Sequence, residues 1–426
     1  AYHQGKESTF SGVEVVDDYT VKFHFKQANV ASLYRASSLI IPQHVYGKYP
    51  VKDLAKAEES LTFNKLIGTG PYQAEEYVSN EAYILVKNNL YWQGTPKIER
   101  LIWRVINQDV APGLLANEEL DIVTSPGGVR AADYELVKSI PHIKLFETPS
   151  FGYQYLGFKL NYRPVEDVEK NIVNPNNYIP NAKLQSKELR KAIMYALDRQ
   201  GMVDGLLKGR GSVQHSPFSS TWPQGKGNIE YAYDPQQAKR ILDEAGYIDR
   251  DGDGYREQPN GEKLTLSLHY PTGDKVREKS ALVIERNLQE VGIKVRLHAP
   301  RDPGTHFANV EQDKQNIDLF LGGWSLSIAD PDPRPIWDTH SLWNFSRWAD
   351  PFQQRLLDKA AGDPQTLDQA YRWQLYDQWA TYVQEELPII FLYHTNDIYA
   401  YHQRIKGVIE SPLGIFYQLH NWEIAG

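Results

Sequence analysis

The chain has 426 residues, 41% of them hydrophobic and 23% charged, with a net charge of −8 and no cysteine. It is too apolar for disorder and too long for one small core, so two lobes or one very large domain are expected. The basic residues are scattered, which leaves no footprint for nucleic acid, and the missing cysteines exclude disulfides, thiolate metal sites and cysteine nucleophiles from this stretch.

No apolar run approaches membrane-spanning length. Aromatic residues reach 12%, with 27 Tyr and 10 Trp, a supply that suits either a ligand-gripping cleft or extra core packing. The opening residues, 1–6, carry no signal peptide and read as mid-domain sequence, so the chain is expected to be a piece of a longer protein.

In chain order, Val13, Val15, Val21, Phe23 and Phe25 alternate with charged residues around Asp17-Asp18, which predicts a half-buried antiparallel pair. Pro42 marks the start of a helix in Ile41-Pro42-Gln43-His44-Val45-Tyr46. Gly68-Thr69-Gly70-Pro71-Tyr72 is a break, and strands are expected over 98–106, near 143–146 and from Tyr153 to Asn161. The segment 163–184, rich in Pro and Asn, is the expected lobe boundary.

The second half is better punctuated. Ser186 caps a helix, Asp234-Pro235 opens another that Gly246 closes, and residues 276–291 form a third, ending at Gly292. Strands are expected at Leu264 to Leu268 and Ile293 to Leu297. Leu319-Phe320-Leu321 predicts a short buried strand that stops at Gly322-Gly323. Beyond it, Trp324, Ser325, Ser327, Asp330 and Asp332 stand on a loop stiffened by Pro331 and Pro333. A helix should run from Asp363-Pro364 to about Leu387, before a buried strand from Ile389 to Tyr393. Alternating strands and helices make this half α/β with partly parallel pairing.

Few patterns carry chemistry. Asp249, Asp251 and Asp253 sit at positions one, three and five of a loop with Gly254 at six, and a backbone carbonyl from Tyr255 could join them. Asn260 stands where a closing glutamate belongs, so the loop is either a solvated acidic turn or a weak Ca²⁺ site. The 12 histidines, including the pairs His298 and His306, His394 and His402, and His3 and His24, are dispersed without metal-ligand spacing. No serine lies in a nucleophile elbow, and Gly209-Arg210-Gly211-Ser212 lacks the lysine of a phosphate loop. Asp330 and Asp332 could do acid–base work, but the flanking prolines favour a rigid binding loop.

Taken in order and spacing, several segments resemble a known family. They include Asp17-Asp18-Tyr19-Thr20-Val21-Lys22-Phe23, Gly68-Thr69-Gly70-Pro71-Tyr72, Asn89-Leu90-Tyr91-Trp92-Gln93-Gly94, Tyr155-Leu156-Gly157-Phe158-Lys159-Leu160-Asn161 and Leu189-Arg190-Lys191-Ala192-Ile193. The family is the bacterial extracytoplasmic solute-binding proteins of the peptide/nickel class (family 5), the oligopeptide- and dipeptide-binding subunits of ABC importers.

The resemblance implies an α/β, two-lobed periplasmic-binding-protein-like fold (type II, cluster C-like) with mixed sheets, lacking its N-terminal part. Residues 1–160 with 411–426 would be the remainder of the first lobe, and 161–410 the second. It implies a monomeric, non-enzymatic receptor outside the cytoplasm, in the periplasm or lipid-anchored at the cell surface. The receptor would bind oligopeptides between its lobes and deliver them to a membrane permease, with no cofactor required. The alternative on the same scaffold is an oligosaccharide, a nickel chelate or haem.

For the site, relatives place an aspartate after the Gly-Trp pair to hold the ligand's α-ammonium group. Gapless alignment from Gly323-Trp324 puts Ser327 at that position, and a one-residue shift brings Asp330 into reach. By the same resemblance Trp324 belongs to a side-chain pocket with Ser325 and Asp332. Tyr153 and Tyr155 lead to the cleft, Trp337 and Asn344 line its wall, and Tyr417 lies on the returning C-terminal segment.

Overall fold

The computed structural model describes residues 10–26, 32, 40–124, 128–328 and 330–425. Residues 1–6 with His3, and Ala329 of the Trp324 loop, lie outside them. The chain divides into two compact units, one of residues 1–24, 35–148 and 396–426, the other of 25–34 and 149–395.

The compact units divide at 148/149 and 395/396, whereas the lobe bounds expected from the sequence are at about 160 and 410. The later division lies inside a continuous strand, Ile389–His402, where no shift of composition marks it. The segment 163–184, expected as the lobe boundary, lies within the second unit. Its asparagines close 3₁₀ turns, Asn174 accepting from the Asn176 N–H at 3.2 Å and Asn181 from that of Lys183 at 3.3 Å.

In the first unit, Phe10–Asp17 and Thr20–Phe25 pair as expected. Burial does not follow, for Val15 is 76% and Val21 56% exposed. Alternation decides which face of a ribbon is apolar but not whether anything covers it. Pro42 caps a single turn, Gln43–Tyr46. Tyr72–Val78, Ala82–Lys87 and Arg100–Arg104 form an antiparallel three-stranded sheet. Leu115, Val137, Ile143, Ile398 and Ala400 make one core, and Phe146, Tyr399, Ile415 and Trp422 another.

The second unit is built on strands β1 (Gly152–Phe158), β2 (Gly211–Val213), β3 (Thr265–His269), β4 (Lys294–Leu297), β5 (Leu319–Ser325) and β6 (Ile389–His402). Their order is β2-β6-β1-β5-β3-β4. The sheet is mixed: β3 runs parallel to β4 and β5, whereas β1 is antiparallel to both β5 and β6.

The helices of ten or more residues among the described residues are α1 (Lys187–Ala196), α2 (Pro235–Glu244), α3 (Lys275–Glu290), α4 (Pro351–Gly362) and α5 (Gln369–Glu386). Ser186 Oγ accepts the Leu189 N–H at 3.1 Å and Asp234 that of Gln237 at 2.8 Å, as the capping pattern predicts. The helix expected from Asp363-Pro364 is split. Pro364–Leu367 is a 3₁₀ turn, and Asp368 caps α5 by accepting the Ala370 N–H at 2.9 Å.

Gly322-Gly323 does not stop β5, which continues to Ser325. Gly322 lies opposite Tyr155 of β1, and a Cβ there would stand 2.7 Å from the Tyr155 hydroxyl. The glycine admits a close cross-strand ring and leaves the ladder intact.

Behind this sheet sits a buried ion cluster. Asp313, fully buried, binds Lys159, the Arg163 Nε at 2.6 Å and the Arg347 Nε at 3.0 Å. The surplus positive charge is met by carbonyls at the end of helix Pro303–Glu311. Lys159 donates to Val310 O at 2.8 Å, and Arg163 and Arg347 to Glu311 O at 2.6 and 2.8 Å. Lys159 also donates to Phe345 O at 2.7 Å and Arg347 to Leu342 O at 2.9 Å, which ties down residues 342–347.

Removing the single acid strands two guanidinium groups and, where it is protonated, the Lys159 ammonium. Asp313→Asn, which tolerates the left-handed φ of +55°, should lower unfolding free energy in urea by about 3–5 kcal/mol. A loss below ~1 kcal/mol would mean that the cluster does not depend on this carboxylate. Burial pushes the Lys159 ammonium down to about 7, against the pull of Asp313. The unfolded chain then binds more protons than the folded one from pH 7 to about 10.4, so stability contributed at Lys159 rises through that window. Wild type should accordingly gain stability relative to Lys159→Met between pH 7 and 9 in denaturant titrations.

Candidate functional site

β5 ends on Trp324 and Ser325, and the chain then passes through Leu326 and Ser327 towards the proline-rich segment Asp330-Pro331-Asp332-Pro333. These residues wall a cavity of about 280 Å³. Pro217, Phe218, Ser219 and Trp222 also line it, as do Pro335, Ile336, Trp337 and Trp343. All belong to the second unit.

The aromatic walls hold one another in place. Trp324 stacks on Phe345 at 5.4 Å between centroids and meets the edge of Trp343 at 5.7 Å. Trp337, buried, packs edge-on against Trp379 at 5.5 Å. Rings that pack on other rings are fixed before any ligand arrives.

Both loop carboxylates are already engaged. Asp330 Oδ1 accepts from Arg372 Nη2 at 2.8 Å and from the Asp332 N–H at 2.9 Å. Arg372 also donates to the Tyr376 hydroxyl at 2.7 Å. Asp332 grips Arg334 in a fork, with Nε to Oδ1 at 2.9 Å and Nη2 to Oδ2 at 2.5 Å. Burial works against the Asp332 charge, but Arg334 outweighs it and holds the carboxyl below its usual range. A pair of acids so neutralised is poorly suited to proton transfer.

Of the residues expected at the site, Trp324, Ser325, Ser327, Asp330, Asp332 and Trp337 come together around this cavity. Tyr153 and Tyr155 do not. Both are buried in the core, Tyr153 edge-on to Phe391 at 5.2 Å and Tyr155 to Phe320 at 5.9 Å, because β1 is flanked by β5 and β6 in the middle of the sheet. Asn344 is buried as well and closes its own loop, accepting the Trp348 N–H at 3.1 Å and donating to Trp348 O at 2.8 Å. Tyr417 belongs to the first unit and is not among the lining residues. Phe218, Trp222, Trp343 and the two arginines were not anticipated. The aromatic and proline content of 217–223 was the available signal for the first two.

Several histidines meet in space without sharing a sequence motif. His269 and His298 stack at 3.8 Å, and burial first, then His298, pushes His269 down to about 4. His306, also pushed by burial to about 4, sits behind β5 with Nε2 2.9 Å from Leu321 O. Glu118, His142 and His402 bring their ligand atoms within 4.8 Å of one another. However, His402 Nδ1 accepts the Arg404 N–H at 3.0 Å, so the neutral ring carries its proton on Nε2, where a metal would bind.

The acidic loop also has its own cation. Lys263 binds Asp251, and lies 2.8 Å from Asp253 and 3.0 Å from Glu257. Asp249 spends its oxygens on the N–H groups of Gly252 and Gly254, at 2.8 and 2.9 Å, and Asp253 accepts from the Tyr255 N–H at 2.9 Å. Calcium at Asp249, Asp251, Asp253 and Tyr255 would have to displace the lysine. Raising Ca²⁺ to about 10 mM, above the ~10⁻⁴–10⁻³ M of weak sites, should therefore leave the melting temperature unchanged. Lys263→Ala should make it rise with Ca²⁺.

The sequence profile described as "Bacterial extracellular solute-binding proteins, family 5 Middle" matches residues 2–345. The chain is 27% identical over 423 residues to oligopeptide-binding protein AppA of Bacillus subtilis (strain 168), covering 97% of this chain and 72% of that one. It is 24% identical over 414 residues to heme-binding protein A of Haemophilus influenzae, covering 94% and 68%. Among solved structures, Bacillus subtilis AppA in complex with a nonapeptide aligns with a TM-score of 0.81 at 26% identity, over 98% of this chain and 79% of that one. The mixed α/β architecture is accordingly of the periplasmic-binding-protein type, and the chain belongs to family 5 of the bacterial extracellular solute-binding proteins, a family of receptors.

Proposed function

We propose that this protein is a non-enzymatic receptor that captures oligopeptides outside the cytoplasm and hands them to the membrane permease of an ABC importer. The observation that carries the reading is the Trp324 pocket, a preformed aromatic cavity at the end of a rigid strand, in a chain similar to a protein named for oligopeptide binding. Its 280 Å³ lies at the low end of small-ligand sites, about right for one large side chain and not for a whole peptide. An extended peptide would be held mainly through its backbone, with this pocket reading a single position. Trp324, Ser325, Ser327 and Trp337 would contact the ligand, with Asp330 and Asp332 stiffening the loop.

A second reading, an oligosaccharide ligand, is favoured by the four indoles Trp222, Trp324, Trp337 and Trp343 around one cavity, since sugar faces stack on such rings. Calorimetric titration of the full-length protein with mixed peptides of two to nine residues, and separately with cello- and manno-oligosaccharides, should give heat with peptides alone. Heat with sugars and none with peptides reverses the assignment. Trp324→Ala should weaken the best peptide by about tenfold, ~1.4 kcal/mol, with little change in melting temperature.

A further inference from the structure

We propose that the Trp324 pocket selects an uncharged, ring-bearing side chain, and that Arg372 sets this preference by occupying Asp330. The inference rests on the reading that this pocket holds part of the ligand.

Among the described residues lining the cavity, Asp330 and Asp332 are the only ionisable ones. Each would be a natural anchor for a ligand ammonium group if it were free. Neither is. Asp332 is closed by the bidentate Arg334, and Asp330 Oδ1 by Arg372 and the Asp332 N–H. Arg372 comes from α5, on a part of the chain remote from the loop, and is itself buried. It is oriented by the Tyr376 hydroxyl, one helical turn away, and its guanidinium lies over the Tyr376 ring at 4.9 Å. The arginine is thus built into the helix and not recruited from solvent.

Two buried atoms, Asp330 Oδ2 and Arg372 Nε, have no hydrogen-bond partner. They belong to the same ion pair, so each group's charge is compensated by the other. What remains facing the cavity is aromatic, prolyl and hydroxyl surface. A charged side chain entering would lose its hydration without meeting an unpaired counter-charge, whereas a neutral ring loses little and gains stacking on Trp324 and Trp343. Arg372 is on this account a positioning residue that acts through Asp330.

Three probes sharing one indole separate charge from shape: N-acetyl-tryptophanamide (neutral), tryptamine (cationic) and indole-3-propionate (anionic). In ligand-observed NMR titrations of the full-length protein, the neutral probe should bind at least about tenfold more tightly than either charged one. Trp324→Leu should weaken it. Arg372→Met, which releases Asp330, should raise tryptamine affinity about tenfold relative to the neutral probe. Should that variant lose its cooperative melt, Arg334→Gln, which releases Asp332 at a more exposed place, makes the same comparison. Tryptamine binding best in wild type, all three binding equally, or none binding overturns the proposal, as does an unchanged ranking in the folded arginine variants. The peptide reading fails separately. Ring probes that rank as stated beside peptides that give no heat defeat that reading alone.

Discussion

One buried carboxylate organises the second unit of this molecule. Asp313 gathers Lys159 from the end of β1, Arg163 from the segment that follows and Arg347 from the loop before α4. Three cations out of water around one acid would be untenable without further acceptors. The end of helix Pro303–Glu311 supplies them as backbone oxygens. What results is less a source of net stability than a fixed point. It holds residues 342–347 in one place, and those residues carry Trp343 and Phe345.

The pocket inherits its rigidity from that point. Phe345 is the surface on which Trp324 stacks and Trp343 meets it edge-on, so the ion cluster and the cavity wall are joined through these two rings. From the other side, β5 delivers Trp324 at a fixed height because its register against β1 is unbroken from Leu319 to Ser325. The glycine pair permits this, since Tyr155 needs the space that a Cβ at Gly322 would take. Beyond Ser325 the prolines and the two carboxylate–arginine pairs continue the constraint where the sheet no longer can.

Much of this was legible in the chain itself. Caps such as Ser186 and Asp234 are local chemistry and appear where the pattern places them. The aromatic loop after β5 could be recognised because a buried run ending in Gly-Gly-Trp and paired Asp-Pro steps is unusual composition. What failed depends on distance in the fold. Tyr153 and Tyr155 look like binding residues until both neighbouring strands are in place, and only then are they core. Asp330 reads as a free acid because nothing near it in sequence announces Arg372. The asparagines of 163–184 read as a lobe boundary because capped turns within a unit and a connection between lobes share the same composition. Lys263 lies ten residues from Asp253, across a turn, so the acidic loop was read without its counter-charge.

The closed pairs Asp330–Arg372 and Asp332–Arg334 also bear on how quickly a solute is caught. A binding wall with a bare carboxylate would draw cations from beyond contact range and lose that advantage as salt rises. A wall whose charges are matched in place exerts little such pull. Under the proposed function, encounter would proceed at the pace set by diffusion and orientation, and solutes would be told apart by how long they stay rather than by how fast they arrive.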